Sequence, residues 1–326
     1  MSLLKTAKRD PCTKEAITWA YRLFLDREPE NDGVIVEKAE RLRSLRDLRH
    51  EFLQSEEFCE KNYYFPTVSP FNEGAGMSIE EVQSEADLQT LFRHIQASWE
   101  HLGETEPHWS VLSTSRFLQA NLDHSRSEFY QSGKNDMARS ISTLRRNGID
   151  PGSLKSCLEY GCGLGRVTRW FAEHFQTVHG FDISSAHLRA AEEYLSGVGL
   201  QNVTLRQVRS VEDLADLPRV DMVYSLLVLQ HNPPPLIKLL IGALLRALHP
   251  GGVAIFQVPT YGNGYRFCLR DYLNARAQKR EIEMHVLPQR QVFEIIREQG
   301  ARVLEVIQDN CAGDTLRSNT FVVQKG

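Results

Sequence analysis

Residues 156–166 read SCLEYGCGLGR. The short apolar run has the length of a buried strand and closes on Glu159 and Tyr160. Gly161, Gly163 and Gly165 then alternate with other residues, which lets the backbone turn sharply and approach a ligand that a Cβ would hold off. From Arg166 onward, Val167, Trp170 and Phe171 recur at spacings of three and four, predicting a helix. Strand, glycine turn and helix open a doubly wound α/β sheet, in which ligands lie beyond the carboxyl ends of the strands.

The glycine spacing narrows the ligand. The dinucleotide fingerprint needs a third glycine where Arg166 stands, so a nicotinamide dinucleotide is disfavoured. The run also lacks the lysine and hydroxyl residue of a phosphate-gripping loop, which disfavours ATP and GTP. What remains is a ligand with an adenosine but no phosphates.

Downstream, TVHGFDIS predicts a second strand closed by Asp182, placed to accept hydrogen bonds from both hydroxyls of a ribose. The same carboxylate can cap the helix that follows. NVTLRQV predicts a third strand, VDMVYSLLVLQHNPPP a fourth with its exit loop, and VAIFQVP a fifth after the turn LHPGG. A helix near Arg290–Glu298 and the strands VLEVIQD and TFVVQ close the chain. A closing hairpin of this kind adds an antiparallel strand to a parallel sheet.

LEYGCGLGRVTRW resembles motif I of the class I S-adenosylmethionine-dependent methyltransferases, and the pattern agrees with that family over roughly residues 150–326. The resemblance implies a Rossmann-like, mostly parallel sheet with one antiparallel strand, S-adenosylmethionine as cofactor and S-adenosylhomocysteine as product. It implies a cofactor set of Glu159, Gly161, Cys162, Gly163, Gly165 and Asp182, with Ile183 against the adenine and Ser225 near the amino acid moiety. Family members usually carry an aspartate after the third strand for the adenine amino group. Here Ser210 aligns with it, so Val211, Glu212 or Asp213 is expected to take that role.

Before the sheet, Leu88, Leu91, Phe92, Ile95 and Trp99 lie on one helical face, and a further helical run is closed by Gly148. In the family such an extension covers the cofactor, which makes Tyr130 a candidate lid residue or, alternatively, a core aromatic. Tyr261, Tyr265 and Arg266, after the fifth strand, are candidate acceptor contacts. A hydroxyl acceptor must lose its proton, and histidine titrates in the useful range. His231, at the end of the fourth strand, is the first candidate base, His285 the second and His124 the third. No acidic cluster has the spacing of a magnesium site, so metal-independent transfer is expected.

The N-terminal stretch is a separate unit. Ile17, Ala20, Tyr21, Phe24 and Leu25 share one helical face, and Leu42, Leu45, Leu48 and Phe52 another. AYRLFLDREPENDG, with FLQSEEF further on, resembles a short module of unknown function found in bacterial surface-layer and glycan-related proteins. The acidic turn at Asp26, Glu28, Glu30 and Asp32 is read as solvated in preference to calcium-binding. The expected organisation is a helical module over 1–62, a linker over 63–84, a helical cover over 85–150 and the methyltransferase domain over 151–326.

Composition sets outer bounds. Lys+Arg 38 against Asp+Glu 42 gives a net charge of −4, which argues against a general nucleic-acid binder. The six cysteines include no C-x-x-C pair, disfavouring zinc and a disulfide framework. Neither a signal peptide nor an apolar run of membrane-spanning length is evident, so a cytoplasmic protein is expected. The expected activity is O-methylation of a sugar or glycan-related acceptor, with a small-molecule or amine acceptor as alternative. A non-catalytic S-adenosylmethionine-binding protein, its N-terminal module mediating protein interaction, is the reading from a different class.

Overall fold

The computed structural model describes residues 12–326 except 54, 56, 59, 60, 62–75, 83, 277–280 and 314. The chain divides into two compact units, residues 1–73 and 74–326.

The first unit contains α1 (Lys14–Leu25), α2 (Asp32–Arg41) and α3 (Leu45–Leu53). Thr13 caps α1 by accepting from the Ala16 N–H, and Asn31 caps α2 by accepting from the Val34 N–H. The buried faces converge on Ile17, Tyr21, Leu25, Leu48 and Phe52, with Tyr21 and Phe52 edge to face at 4.9 Å. Leu45, expected on this face, is 41% exposed because it begins α3, ahead of the turn that packs inward. The acidic turn is shorter than its composition suggests, since Asp32 is already helical. Glu28 accepts from Arg22, while Glu30 and Glu57 both accept from Arg27.

The second unit begins with β1 (Ser78–Ile79), inside the segment read as a linker, most of which lies outside the described residues. Three helices follow: α4 (Glu85–Thr105), α5 (Pro107–Val111) and α6 (Leu122–Arg146). Gly148, at φ +75, ends α6, and the Ile149 N–H returns to the Leu144 carbonyl. Alternation then starts with β2 (Ser156–Tyr160), α7 (Thr168–Phe171), β3 (Thr177–Asp182), α8 (Ser185–Gly197), β4 (Val203–Gln207) and β5 (Val220–Ser225). It continues with α9 (Pro234–Arg246), β6 (Leu248–Gly262), β7 (Arg266–Phe267), α10 (Leu269–Arg276), α11 (Gln289–Glu298), β8 (Ala301–Asp309) and β9 (Leu316–Lys325).

Seven strands form one sheet in the order β4-β3-β2-β5-β6-β9-β8. β4 to β6 pair in parallel, and β9 runs antiparallel to both its neighbours. This is the mostly parallel, Rossmann-like sheet that the motifs imply. β1 pairs with β7 outside it. Two details differ from expectation. LHPGG is a register shift between β5 and β6 within an almost continuous strand, and the helix expected from Arg166 starts at Thr168, after the glycine turns.

The period-2 alternation of a strand divides the core between the two faces of the sheet. Leu158, Val223, Ala254 and Phe256 pack on one face with α9, α11 and the Leu91, Phe92 and Ile95 side of α4. Cys157, Met222, Val253 and Ile255 pack on the other with Met137, Ile141 and Leu144 of α6. The cover helices therefore share cores with the sheet. Each fully buried leucine or isoleucine here contributes about 1.5–3 kcal/mol.

Candidate functional site

A cleft of about 820 Å³, its open mouth included, lies at the carboxyl ends of β2, β3 and β5. Its floor is the glycine loop. Gly161 and Gly163 hold φ of +77 and +52, and a Cβ on Gly161 would lie 2.3 Å from Cγ2 of Val228. Only glycine permits both the left-handed turn and that approach.

Asp182 stands at the rim, where β3 ends. Its Oδ2 accepts from the Gly163 N–H (2.9 Å) and its Oδ1 from the Ser184 N–H (2.9 Å). One carboxylate thus joins the glycine loop to the start of α8, and its unused lone pairs remain for a ligand hydroxyl. Glu159 lines the same cleft and accepts from the Thr168 hydroxyl (2.6 Å). Burial pushes its carboxyl up to about 8. Arg166 is also in the wall, paired with Asp136 of α6 and donating to Ser132 (3.0 Å), while its Nε is buried without a partner among the described residues.

The cover supplies the opposite wall. Trp99 of α4 and Ser110 and Val111 of α5 line the cleft, as does His187 of α8, whose Nε2 lies 2.9 Å from the Ser110 hydroxyl. Val111 rests on Gly163, where a Cβ would meet it at 3.0 Å. Glu100 secures α4 by accepting from the Ser185 N–H (2.7 Å) and the Ser185 hydroxyl (2.6 Å).

Of the residues singled out from the sequence, Glu159, Gly161, Cys162, Gly163, Asp182 and Ile183 come together around this cleft. The others lie outside its lining. Gly165, at φ +75, packs on Leu195, and Ser225 donates its hydroxyl to the Tyr160 carbonyl (3.0 Å). Val211 gives its N–H to Gln89 of α4 (2.9 Å), and Asp213 accepts from the N–H groups of Arg209 and Ser210, so both are engaged within the fold. Tyr130 is stacked on Tyr194 at 3.5 Å in an aromatic cluster with Phe117, Phe129 and Leu164. Burial pushes its hydroxyl up to about 12. It packs within this cluster and lies outside the cleft lining, to which Ser110 and Val111 contribute.

The histidines are placed differently from a base facing the cleft. His231 is buried outside the lining, with Nδ1 2.7 Å from the Glu283 carbonyl and Nε2 3.1 Å from the Gln230 amide nitrogen. Both nitrogens are engaged, and burial lowers its pKa to about 4. His285 lies between Tyr265 (2.7 Å) and Glu283 (2.9 Å), and Glu283 also meets His94 (3.0 Å) and accepts from Tyr272 (2.8 Å). Contacts with His285 and His94 hold the Glu283 carboxyl well below its usual range against the opposing effect of burial. His124 is on the exposed face of α6. Tyr265 is thus part of this buried cluster, while Tyr261 and Arg266 also lie outside the cleft lining. Among the described residues, no group of three or more His, Cys, Asp or Glu is arranged to hold a metal ion, and no helix is long and apolar enough to cross a membrane.

Residues 157–252 match the family model described as Methyltransferase domain. Among curated proteins, the ubiquinone biosynthesis O-methyltransferase of Pseudomonas fluorescens (strain Pf0-1) is 33% identical over 121 residues, 36% of this chain and 51% of that protein. The protein of the same name from Pseudomonas putida (strain GB-1) is 35% identical over the same shares. The chain spans about half the length of these relatives. Among solved structures, the magnesium protoporphyrin IX methyltransferase of Synechocystis PCC 6803 with bound SAH is similar with a TM-score of 0.51 and 17% identity, over 72% of this chain and 100% of that one. That likeness shows the fold.

Proposed function

We propose that the chain transfers a methyl group from S-adenosylmethionine to a hydroxyl acceptor. The observation that carries this reading is the convergence of Asp182, Glu159 and the glycine loop on one cleft, within the stretch that matches the methyltransferase domain. Asp182 would accept from the ribose hydroxyls and Ile183 would lie against the adenine. Glu159 would face the ammonium of the methionine end, and Arg166 its carboxylate. The cofactor's sulfonium brings its own activation, so the protein's contribution is to hold acceptor and methyl in line and to exclude water. Trp99, Val111 and Val228 provide the apolar wall for that purpose.

A sugar hydroxyl is the acceptor we favour, supported by the resemblance of the N-terminal module to glycan-related proteins. The O-methyltransferase relatives support oxygen as the nucleophile, and a phenol is the other hydroxyl class to test. A phenol, ionising near pH 10, would need less help from a base than a sugar. Transfer of a labelled methyl group into fractionated cell extract tests the choice. Label in polysaccharide or glycolipid supports the sugar, label in small aromatic molecules supports the phenol, and binding without transfer to any fraction would leave only a cofactor-holding protein.

Glu159 gives this reading a pH signature. A carboxyl raised from 4.5 to about 8 is protonated in the folded chain at neutral pH, so an arriving cation should displace its proton. S-Adenosylmethionine affinity should therefore rise with pH up to about 8, with proton release visible by calorimetry in buffers of different ionisation heat. Glu159→Gln should abolish the release. The sign for stability is opposite: the folded state holds the extra proton between pH 4.5 and about 8, so Glu159 lowers stability as pH rises through that window, and the variant should lose this slope.

A further inference from the structure

Behind the cleft, the polar side chains form one directed chain that ends at a strained residue of the wall. Leu227 lines the cleft and holds φ +61, a conformation that a non-glycine residue keeps only when its surroundings impose it. Its N–H donates to Oε1 of Gln257 (3.2 Å). Gln257 is fully buried on β6, and its amide nitrogen donates to Oε1 of Gln230 (2.9 Å) and to the Ser318 hydroxyl oxygen (2.5 Å). Since Oε1 of Gln230 accepts, the Gln230 nitrogen is left to donate, and it meets Nε2 of His231 at 3.1 Å. The far end is anchored by the Glu283 carbonyl, which can only accept, so Nδ1 of His231 carries the hydrogen and Nε2 the lone pair.

Every polarity in this chain is fixed by its two ends. Turning any one amide or adding a proton to His231 would set donor against donor. The neighbouring Val228 is meanwhile pressed against Gly161, so the backbone at 226–228 is held between the glycine loop and the Gln257 carbonyl.

We propose that Gln257, Gln230 and His231 are positioning residues, which hold Leu227 in its left-handed turn and so keep the cleft wall at the end of β5 shaped for the cofactor. The inference rests on the S-adenosylmethionine reading above. It assigns His231 to the architecture of the cofactor site in place of proton transfer.

The test uses the purified full chain and labelled S-adenosylmethionine, measuring equilibrium binding and, with an active acceptor fraction, turnover. Gln257→Met, which keeps length and removes all three side-chain bonds, to Leu227, Gln230 and Ser318, should weaken binding about 10-fold or more, with a smaller loss in kcat at saturating cofactor. His231→Phe, which breaks the chain at its other end, should show the same split. Leu227→Gly should restore much of the affinity in either background, because glycine adopts φ +61 without being held. A His231→Phe variant that binds normally but loses turnover would overturn the inference, as would folded variants that Leu227→Gly fails to rescue. If the Gln257 variant does not fold, the His231 pair alone decides. A wild-type chain that binds no S-adenosylmethionine overturns the cofactor reading itself, whereas intact wild-type binding with failed rescue overturns only this inference.

Discussion

Asp182→Ala should weaken S-adenosylmethionine binding by about 10²-fold, a loss of about 3 kcal/mol. The side chain does two things at once. Its oxygens accept from the N–H groups of Gly163 and Ser184, and its remaining lone pairs face the cleft where the ribose would lie. Removing it deletes charged contacts to the ligand and also leaves two buried backbone donors without a partner. Bonds to charged groups are worth about 1.5–3 kcal/mol each, so even one lost ligand contact plus a loosened loop reaches the stated size. Asp182→Asn keeps one oxygen acceptor and should fall between the two. Equilibrium binding separates the cases, and wild-type affinity in the alanine variant would place the cofactor somewhere other than this cleft.

This site was readable in the sequence where its chemistry is local. Glu159, the glycines and Asp182 sit on strands and turns whose order follows from a single run of residues, and β2 and β3 are adjacent in the sheet. The opposite wall was not readable in the same way. Trp99 and Val111 precede the glycine loop by some fifty residues or more; periodicity says that Trp99 faces inward, not what it faces, and the five-residue helix that carries Val111 is too short to show a period. Tyr130 illustrates the limit, since it points inward as expected but into the aromatic cluster of Tyr194 and Phe129. His231 was correctly placed at the exit of its strand. Its orientation depends on the Glu283 carbonyl, 52 residues later, and no local signal carries that information. Val211 is similar, because the group that takes its N–H is Gln89 from a distant helix.

The packing of the cover on the glycine loop leads to the other large effect, in Gly133→Ala. Alanine is the better helix former by about 1 kcal/mol, so on propensity alone this change within α6 should stabilise the protein. The contact works against it. A Cβ at Gly133 would lie 2.0 Å from the carbonyl oxygen of Arg166 and 2.7 Å from its carbonyl carbon, with Trp170 at 3.1 Å. These are backbone atoms at the exit of the glycine loop and cannot rotate away as a flexible side chain could. Overpacking of this kind costs about 1–3 kcal/mol where side chains can adjust, and more where they cannot. The overlap therefore outweighs propensity, and a net destabilisation of about 2 kcal/mol or more is expected in urea unfolding. Relief by moving α6 outward would also disturb the Arg166–Asp136 pair and the bond from the Trp170 indole to the Tyr130 carbonyl, both of which join α6 to the segment after the loop. Cofactor affinity should then fall together with stability. A variant that gains stability would show that α6 stands further from the loop than the close packing at Gly133 requires.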